Sequence, residues 1–338
     1  MKGFTSSLWP IRYKPLPDEL LSSWLVRLAH GHGMKAQPFC NAIFGPRLQV
    51  WNRDIDRLAP EWLIQELCDR TGTTFQAASA TTLRVYEGFL YPVFRPTGTL
   101  KWIQTLQMYH RKRNGFGLQF CPQCLRESSE PYFRKSWRVA YNTTCLRHQC
   151  MLHDRCSKCG VSVAFHRLNM GQSSSLRIES LATCHQCGFD LRRANTTPIV
   201  TYNSQTTEWH RILCIKTLSD HLQRDPVSLD AMNVMHHVIV MLSSRYSRVR
   251  LKEYVCEQLN VADMTLTPGY PSFESRPLAE RHHLIQLMAW LMIDLEPRLR
   301  VAWRAKAIRY NLMFKDFTDA PEWYLKIVWG FSDWRRDE

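Results

Sequence analysis

Four short pairs of metal-ligand side chains stand in order along the middle of the chain: Cys121-Pro122-Gln123-Cys124, Cys145-Leu146-Arg147-His148, Cys156-Ser157-Lys158-Cys159 and Cys184-His185-Gln186-Cys187. Two intervening residues let a tight turn aim both ligand atoms at one cation while backbone N–H groups bond to the thiolates, and a second such turn completes a tetrahedron. Taken sequentially, the pairs make one site from Cys121, Cys124, Cys145 and His148 and a second from Cys156, Cys159, Cys184 and Cys187. Two structural Zn2+ ions are the expected occupants, since core thiols would have to repeat one spacing by chance. Cys150 and His153 are spare ligand types in the same stretch, so the membership of the first site stays more open than that of the second. With all four positions filled by protein, neither ion keeps a place for water, which is the pattern of structural and not of hydrolytic zinc.

Other chemistries lack their residues. A zinc deaminase needs His-x-Glu ahead of Pro-Cys-x-x-Cys, and no histidine here has glutamate two positions later. His-Glu-x-x-His and Gly-x-x-x-x-Gly-Lys are also missing. A metal-dependent nuclease or transposase built on carboxylates has no fixed local spacing, so it remains as a less favoured alternative. No catalytic residue is assigned.

The knuckles need elements to bring them together. The gaps of 20 residues (125–144) and 24 residues (160–183) have room for short strands, and the aromatic and β-branched segment 132–141 predicts one. Upstream, Leu20, Leu21, Trp24, Leu25 and Leu28 recur at helical spacing over 17–29, and Gly31 and Gly33 stop the run. Pro60 opens a helix through Trp62, Leu63, Leu67 and Cys68; Thr71-Gly72-Thr73-Thr74 then turns into a short helix over 75–83. That is the helix-turn-helix order, with Gln76, Ser79 and Thr82 offered by the second helix and no cation before Arg84, although any small helical domain can contain such a pair. After 199 the periodicity predicts helices over 209–222, 231–242, 251–259 and 278–295, the last with Leu284, Leu287, Met288, Leu291 and Leu295 on one face. The fold class is therefore mainly α with small β zinc ribbons. Its expected domains are an N-terminal helix-turn-helix domain (1–115), a tandem zinc-ribbon region (116–198) and a C-terminal α-helical domain (199–338).

With 44 Lys and Arg against 30 Asp and Glu, the net charge is +14; seven ligand thiolates and two zinc ions would lower it to about +11. A surplus of that size suits a polyanionic partner. The basic run at Arg111, Lys112 and Arg113, and Arg134, Lys135 and Arg138 on the expected strand, are the nucleic-acid-binding candidates, although clusters of this size commonly just decorate a solvated surface. No apolar run reaches the roughly 20 residues that span a bilayer, and 1–9 lacks the apolar core of a signal peptide, so a cytoplasmic, bacterial protein without membrane attachment is expected. In a reducing compartment the twelve cysteines are not expected to form disulfides, and Cys40, Cys68, Cys214 and Cys256, set among apolar neighbours, read as inert core thiols.

The segments Leu16-Pro17-Asp18-Glu19-Leu20-Leu21-Ser22-Ser23-Trp24-Leu25, Phe120-Cys121-Pro122-Gln123-Cys124-Leu125-Arg126-Glu127, Cys145-Leu146-Arg147-His148 and Cys156-Ser157-Lys158-Cys159-Gly160 together resemble the TniQ family of bacterial transposons, related to TnsD, over roughly residues 15 to 195. The resemblance implies a non-catalytic target selector that links a target-recognition complex to the TnsC-like AAA+ ATPase and so to the transposase. Short members ride on an RNA-guided CRISPR effector such as Cascade, with its guide RNA or target DNA, in some systems as a homodimer. Longer TnsD-like members bind an attachment site on DNA directly. The length here favours the short class; direct DNA recognition is the alternative.

Overall fold

The computed structural model describes residues 8–48, 50–109, 112–168, 180–218, 226–244, 249–269 and 272–331. The chain forms two compact units: 1–85 with 95–98 and 103–198, and 86–94 with 99–102 and 199–338. It is mainly helical, with two small antiparallel ribbons among the described residues.

The first unit contains α1 (Leu21–Gly31), α2 (Ala36–Phe44), α3 (Ile55–Leu58), α4 (Glu61–Thr71), α5 (Phe75–Ser79) and α6 (Pro122–Glu127), with ribbons β1–β2 (Met108–Tyr109, Lys112–Arg113) and β3–β4 (Thr144–Cys145, Cys150–Met151). Leu21, Trp24, Leu25 and Leu28 of α1 are fully buried, as their spacing predicts, and the helix packs on α2, α3 and a 3-10 turn at Phe165–Arg167. The helix-turn-helix order is present in α4 and α5: Gly72 supplies the left-handed turn (φ +64°) and the Thr74 hydroxyl accepts from the Ala77 amide. The second helix is only five residues long. Its neighbour Thr82 is buried and donates its hydroxyl hydrogen to the Ser79 carbonyl, which removes it from any groove-reading set.

The segment 132–141 is not the strand its composition predicts. It carries a 3-10 turn (Lys135–Arg138) and meets the rest of the unit through single bridges, Glu19 to Arg134 and Ile103 to Val139. Tertiary demand overrides local preference here, because this stretch must close a buried polar network around the start of α1. The Leu20 amide donates to the Phe133 carbonyl and the Lys135 amide to the Asp18 carbonyl, while the Phe133 amide donates to Ser23 Oγ. Asp18 accepts from the Ser136 hydroxyl at 2.5 Å. Glu19 lies 2.7 Å from Arg27, whose other nitrogen reaches Glu130 at 2.7 Å. Burial pushes the Glu19 carboxyl up to about 7 against the pull of Arg27 and the bonds from Leu16 and Ser23.

At the centre lies Arg138, fully buried. Its guanidinium holds Asp54 at 2.6 Å and Asp56 at 3.3 Å and donates to the Gln104 carbonyl at 2.9 Å; Asp56 in turn accepts from the Ser22 amide and hydroxyl at 2.7 and 2.9 Å. Burial opposes the charge, but Asp54 and Asp56 outweigh it and hold the guanidinium above its usual range. Four chain segments are thereby fastened together.

The second unit is built around α10 (Leu278–Ile293), which packs against α7 (Ser204–Leu218), α8 (Pro226–Leu242), α9 (Leu251–Leu259) and α11 (Leu295–Arg304); α12 (Glu322–Trp329) completes the described elements. Periodicity predicts one apolar face for α10, yet Ile285, Gln286 and Ala289 are as buried as Leu284, Leu287, Met288 and Leu291. A helix with four helical neighbours has no solvent face to leave polar. Its polar residues find internal partners, as when the Thr206 hydroxyl donates to Gln286 at 2.8 Å. Among the described residues, no helix is long and apolar enough to cross a membrane.

Replacing Arg138 strands two buried carboxylates, so Arg138→Met should cost the first unit about 3–5 kcal/mol. Arg134, half-buried with its guanidinium 5.4 Å from the Tyr132 ring, should lose no more than about 1 kcal/mol as Arg134→Ala. Chemical denaturation followed by tryptophan fluorescence measures both, and equally small losses would contradict this account of the triad.

Candidate metal centres

Three of the four knuckles share one turn. In each, the amide of the fifth residue donates back to the carbonyl of the first: Gln149 to Cys145 at 2.9 Å, Gly160 to Cys156 at 2.9 Å and Gly188 to Cys184 at 3.0 Å. The fifth residue is left-handed every time, with φ of 49°, 72° and 68°. Glycine takes that conformation freely at 160 and 188, and Gln149 takes it against the usual steric cost. The turn aims the first and fourth side chains the same way. The pair at 121 and 124 is built differently. Cys121 is the N-cap of α6, Pro122 occupies the first turn where it has no amide to waste, and Cys124 follows on the helix.

These turns bring Cys121, Cys124, Cys145 and His148 into one cluster and Cys156, Cys159, Cys184 and Cys187 into another, with the ligand atoms of each within 4.8 Å of one another. In the first, His148 Nδ1 lies 3.4, 3.3 and 3.5 Å from the sulfurs of Cys121, Cys124 and Cys145, and Cys124 and Cys145 are 3.6 Å apart. In the second, Cys156–Cys187 and Cys159–Cys184 are both 3.7 Å. A tetrahedral cation with metal–sulfur bonds of roughly 2.3 Å requires sulfur–sulfur edges of about 3.8 Å, with somewhat shorter sulfur–nitrogen edges. Both clusters fit. Without a cation, four close thiols obstruct one another: hydrogen bonds from Cys124 and Cys145 hold the Cys121 thiol far down, while Cys121 and Cys145 drive Cys124 up.

A feature the spacing does not disclose orients the histidine. Its Nε2 is 2.9 Å from Glu127 Oε1, and Arg147 holds the other carboxylate oxygen at 2.6 Å. With Nε2–H donating to Glu127, the Nδ1 lone pair faces the three sulfurs, the carboxylate–histidine arrangement typical of metal ligands. Glu127 lies within the Cys121 to Glu127 motif and three residues from Cys124, which is the signal that could have found it.

The spare ligands are resolved by position. Cys150 pairs with Cys145 across the β3–β4 ribbon and its sulfur is 3.8 Å from Cys121, beside the cluster; burial pushes its thiol up to about 12. His153 stacks on Phe120 at 5.3 Å, with burial lowering its affinity for a proton. The clusters differ in exposure: three of the first four ligands are buried, whereas Cys159 is exposed and Cys187 half-exposed.

The nucleic-acid candidates are not gathered into one surface. Arg138 is enclosed by Asp54 and Asp56, so its charge is spent internally. Lys135 is largely buried, donating to the Ala80 carbonyl at 2.7 Å with Asp18 at 3.6 Å. Arg134 lies against Tyr132 and Trp137. Lys112 and Arg113 belong to β2, opposite Tyr109 and Met108, and Arg111 lies outside the described residues.

The fold and clusters define a mainly helical protein with two tetrahedral Cys/His centres. Residues 10–152 match the model of the TniQ family, and over that stretch the chain belongs to it. The match runs from the lead-in to α1 through the whole first cluster and ends ahead of Cys156. No curated protein matches the chain significantly.

Two outcomes follow from the geometry. Glu127→Gln should weaken cation binding at the first cluster by about 10–100-fold and leave the second unchanged, read by chelator competition. Nothing lies within 4 Å of a Cβ added at Gly160, so Gly160→Ala should cost only the left-handed backbone, about 1–2 kcal/mol, measured as weaker binding at the second cluster with its ligand set intact.

Proposed function

We propose that this protein is a non-catalytic transposition-targeting factor of the TniQ type, held in shape by two structural zinc ions. The observation that carries the reading is the family match over 10–152, which embraces the first Cys/His centre. Zinc is the cation best suited to donor sets of three thiolates with one imidazole, or of four thiolates, at tetrahedral spacing. Cys121, Cys124, Cys145 and His148 would hold one ion and Cys156, Cys159, Cys184 and Cys187 the other. Each set supplies four protein ligands, which leaves no position for a reacting water and supports a structural role.

In this reading the chain links a target-recognition complex, an RNA-guided effector of the Cascade kind, to a TnsC-like AAA+ ATPase. The internal use of Arg138 and Lys135 supports the adaptor over direct DNA recognition, since both are committed to partners within the first unit. The five-residue α5, which carries no Lys or Arg, points the same way.

Titrating the purified protein against its transposon's insertion site separates the two modes of targeting. An adaptor should bind weakly, without site preference, and lose that binding steeply as salt rises, while co-purifying with the effector and the ATPase. A nanomolar, site-selective complex formed without guide RNA would overturn the adaptor reading.

A further inference from the structure

Cys256 reads from sequence as an inert core thiol, but the second unit sets it against two other kinds of ligand. It lies on the last turn of α9, which ends at the left-handed Asn260 (φ 53°); the chain then turns so that Asp263 comes back beside it, and His283 approaches from α10. Cys256 Sγ is 3.7 Å from Asp263 Oδ1 and 3.8 Å from His283 Nε2, and Oδ1 is 3.9 Å from the same Nε2. One sulfur, one oxygen and one nitrogen therefore form a nearly equilateral triangle. A cation at the centre of such a triangle would be about 2.2 Å from every corner, the bond length zinc makes to these three atom types. The 3.9 Å separation is too long for a hydrogen bond between Oδ1 and Nε2, so pairing between these groups does not account for their convergence.

Two further observations fit a metal. His283 is buried and its Nδ1 is engaged by the Tyr202 hydroxyl at 2.5 Å, so the ring is oriented by its far nitrogen while Nε2 faces the triangle, as Glu127 orients His148 in the first centre. Cys256 and Asp263 also line a cavity of about 540 Å³, shared with Arg250, Glu253 and Glu257. A cation here would have three protein ligands and one position facing that space. Lys252 is the competitor: its ammonium lies 2.7 Å from Asp263 Oδ1.

We infer that Cys256, Asp263 and His283 form a third zinc-type site, with its fourth position open to water. Binding displaces Lys252 from Oδ1 and releases the Cys256 thiol proton to solvent, so that a thiolate, a carboxylate and a neutral imidazole meet the divalent ion. The inference does not depend on the targeting role or on what fills the two closed centres.

Cobalt(II) titration of the full chain, followed by thiolate-to-cobalt absorption and elemental analysis, tests it. The expected result is one equivalent that binds more weakly than the cations of the closed centres, is lost in Cys256→Ser and is weakened at least about tenfold in Asp263→Asn. Asp263 is exposed, so its replacement keeps the test valid if Cys256→Ser disturbs the core. Lys252→Met should tighten the same equivalent. A cobalt stoichiometry that is identical in the parent chain, Cys256→Ser and Asp263→Asn would overturn the site, as would an affinity that Lys252→Met leaves unchanged.

Discussion

A single guanidinium enclosed by two carboxylates governs the first unit. Arg138 cannot be hydrated where it lies, and the several kcal/mol of desolvation per buried ion are offset only because Asp54 and Asp56 meet it directly and the Gln104 carbonyl accepts a further hydrogen. Such a triad tolerates little displacement. It ties the start of α1 to α3 through the Ser22–Asp56 bonds, and through Gln104 it fixes the segment that enters the metal region. An apolar cluster could supply comparable stability, but it would permit sliding that a three-way ion pair with defined donor positions resists.

The metal centres solve a different problem. Residues 121–194 are short of regular structure: α6, one two-residue ribbon and three 3-10 turns are the described elements, too little to enclose a core unaided. Two cations would supply the missing constraints, and α6 joins the two centres by packing on the 3-10 turn at Leu191–Arg193, where Arg126 donates to the Arg192 carbonyl. The family match stops at 152, yet the second centre is physically continuous with the first inside one unit. Its exposed Cys159 and half-exposed Cys187 leave it more open to oxidants and chelators than its buried neighbour.

What can be read from the sequence follows the range of the forces involved. The Cys-x-x-Cys and Cys-x-x-His pairs are legible because the turn that makes them is closed by a bond within five residues. Helices such as α4, α8 and α9 are legible from apolar periodicity. The segment 132–141 misleads because its aromatic and β-branched residues are shaped by contacts more than 100 positions away, and Arg138 reads as a surface cation because its two aspartates lie 84 and 82 residues upstream. Cys256 escapes for the same reason: Asp263 is near in sequence, but His283 arrives from another helix, 27 positions on. Glu127 is the nearest miss, hidden only because a carboxylate beside a metal ligand has no spacing rule of its own.

The clasp between the start of α1 and the stretch from 130 to 139 has a temporal side. Asp18 and Ser136 are 118 positions apart, Ser23 and Phe133 are 110 apart, and Arg27 and Glu130 are 103 apart. During synthesis, then, the opening helix leaves the ribosome long before the backbone and side chains that will satisfy Asp18, Ser23 and Arg27 exist. At roughly 5–20 residues per second, it waits on the order of ten seconds with its apolar face uncovered. The cysteine pairs of the first centre emerge on either side of that delayed partner, so capture of the first cation and seating of the N-terminal helix fall in the same interval of chain growth.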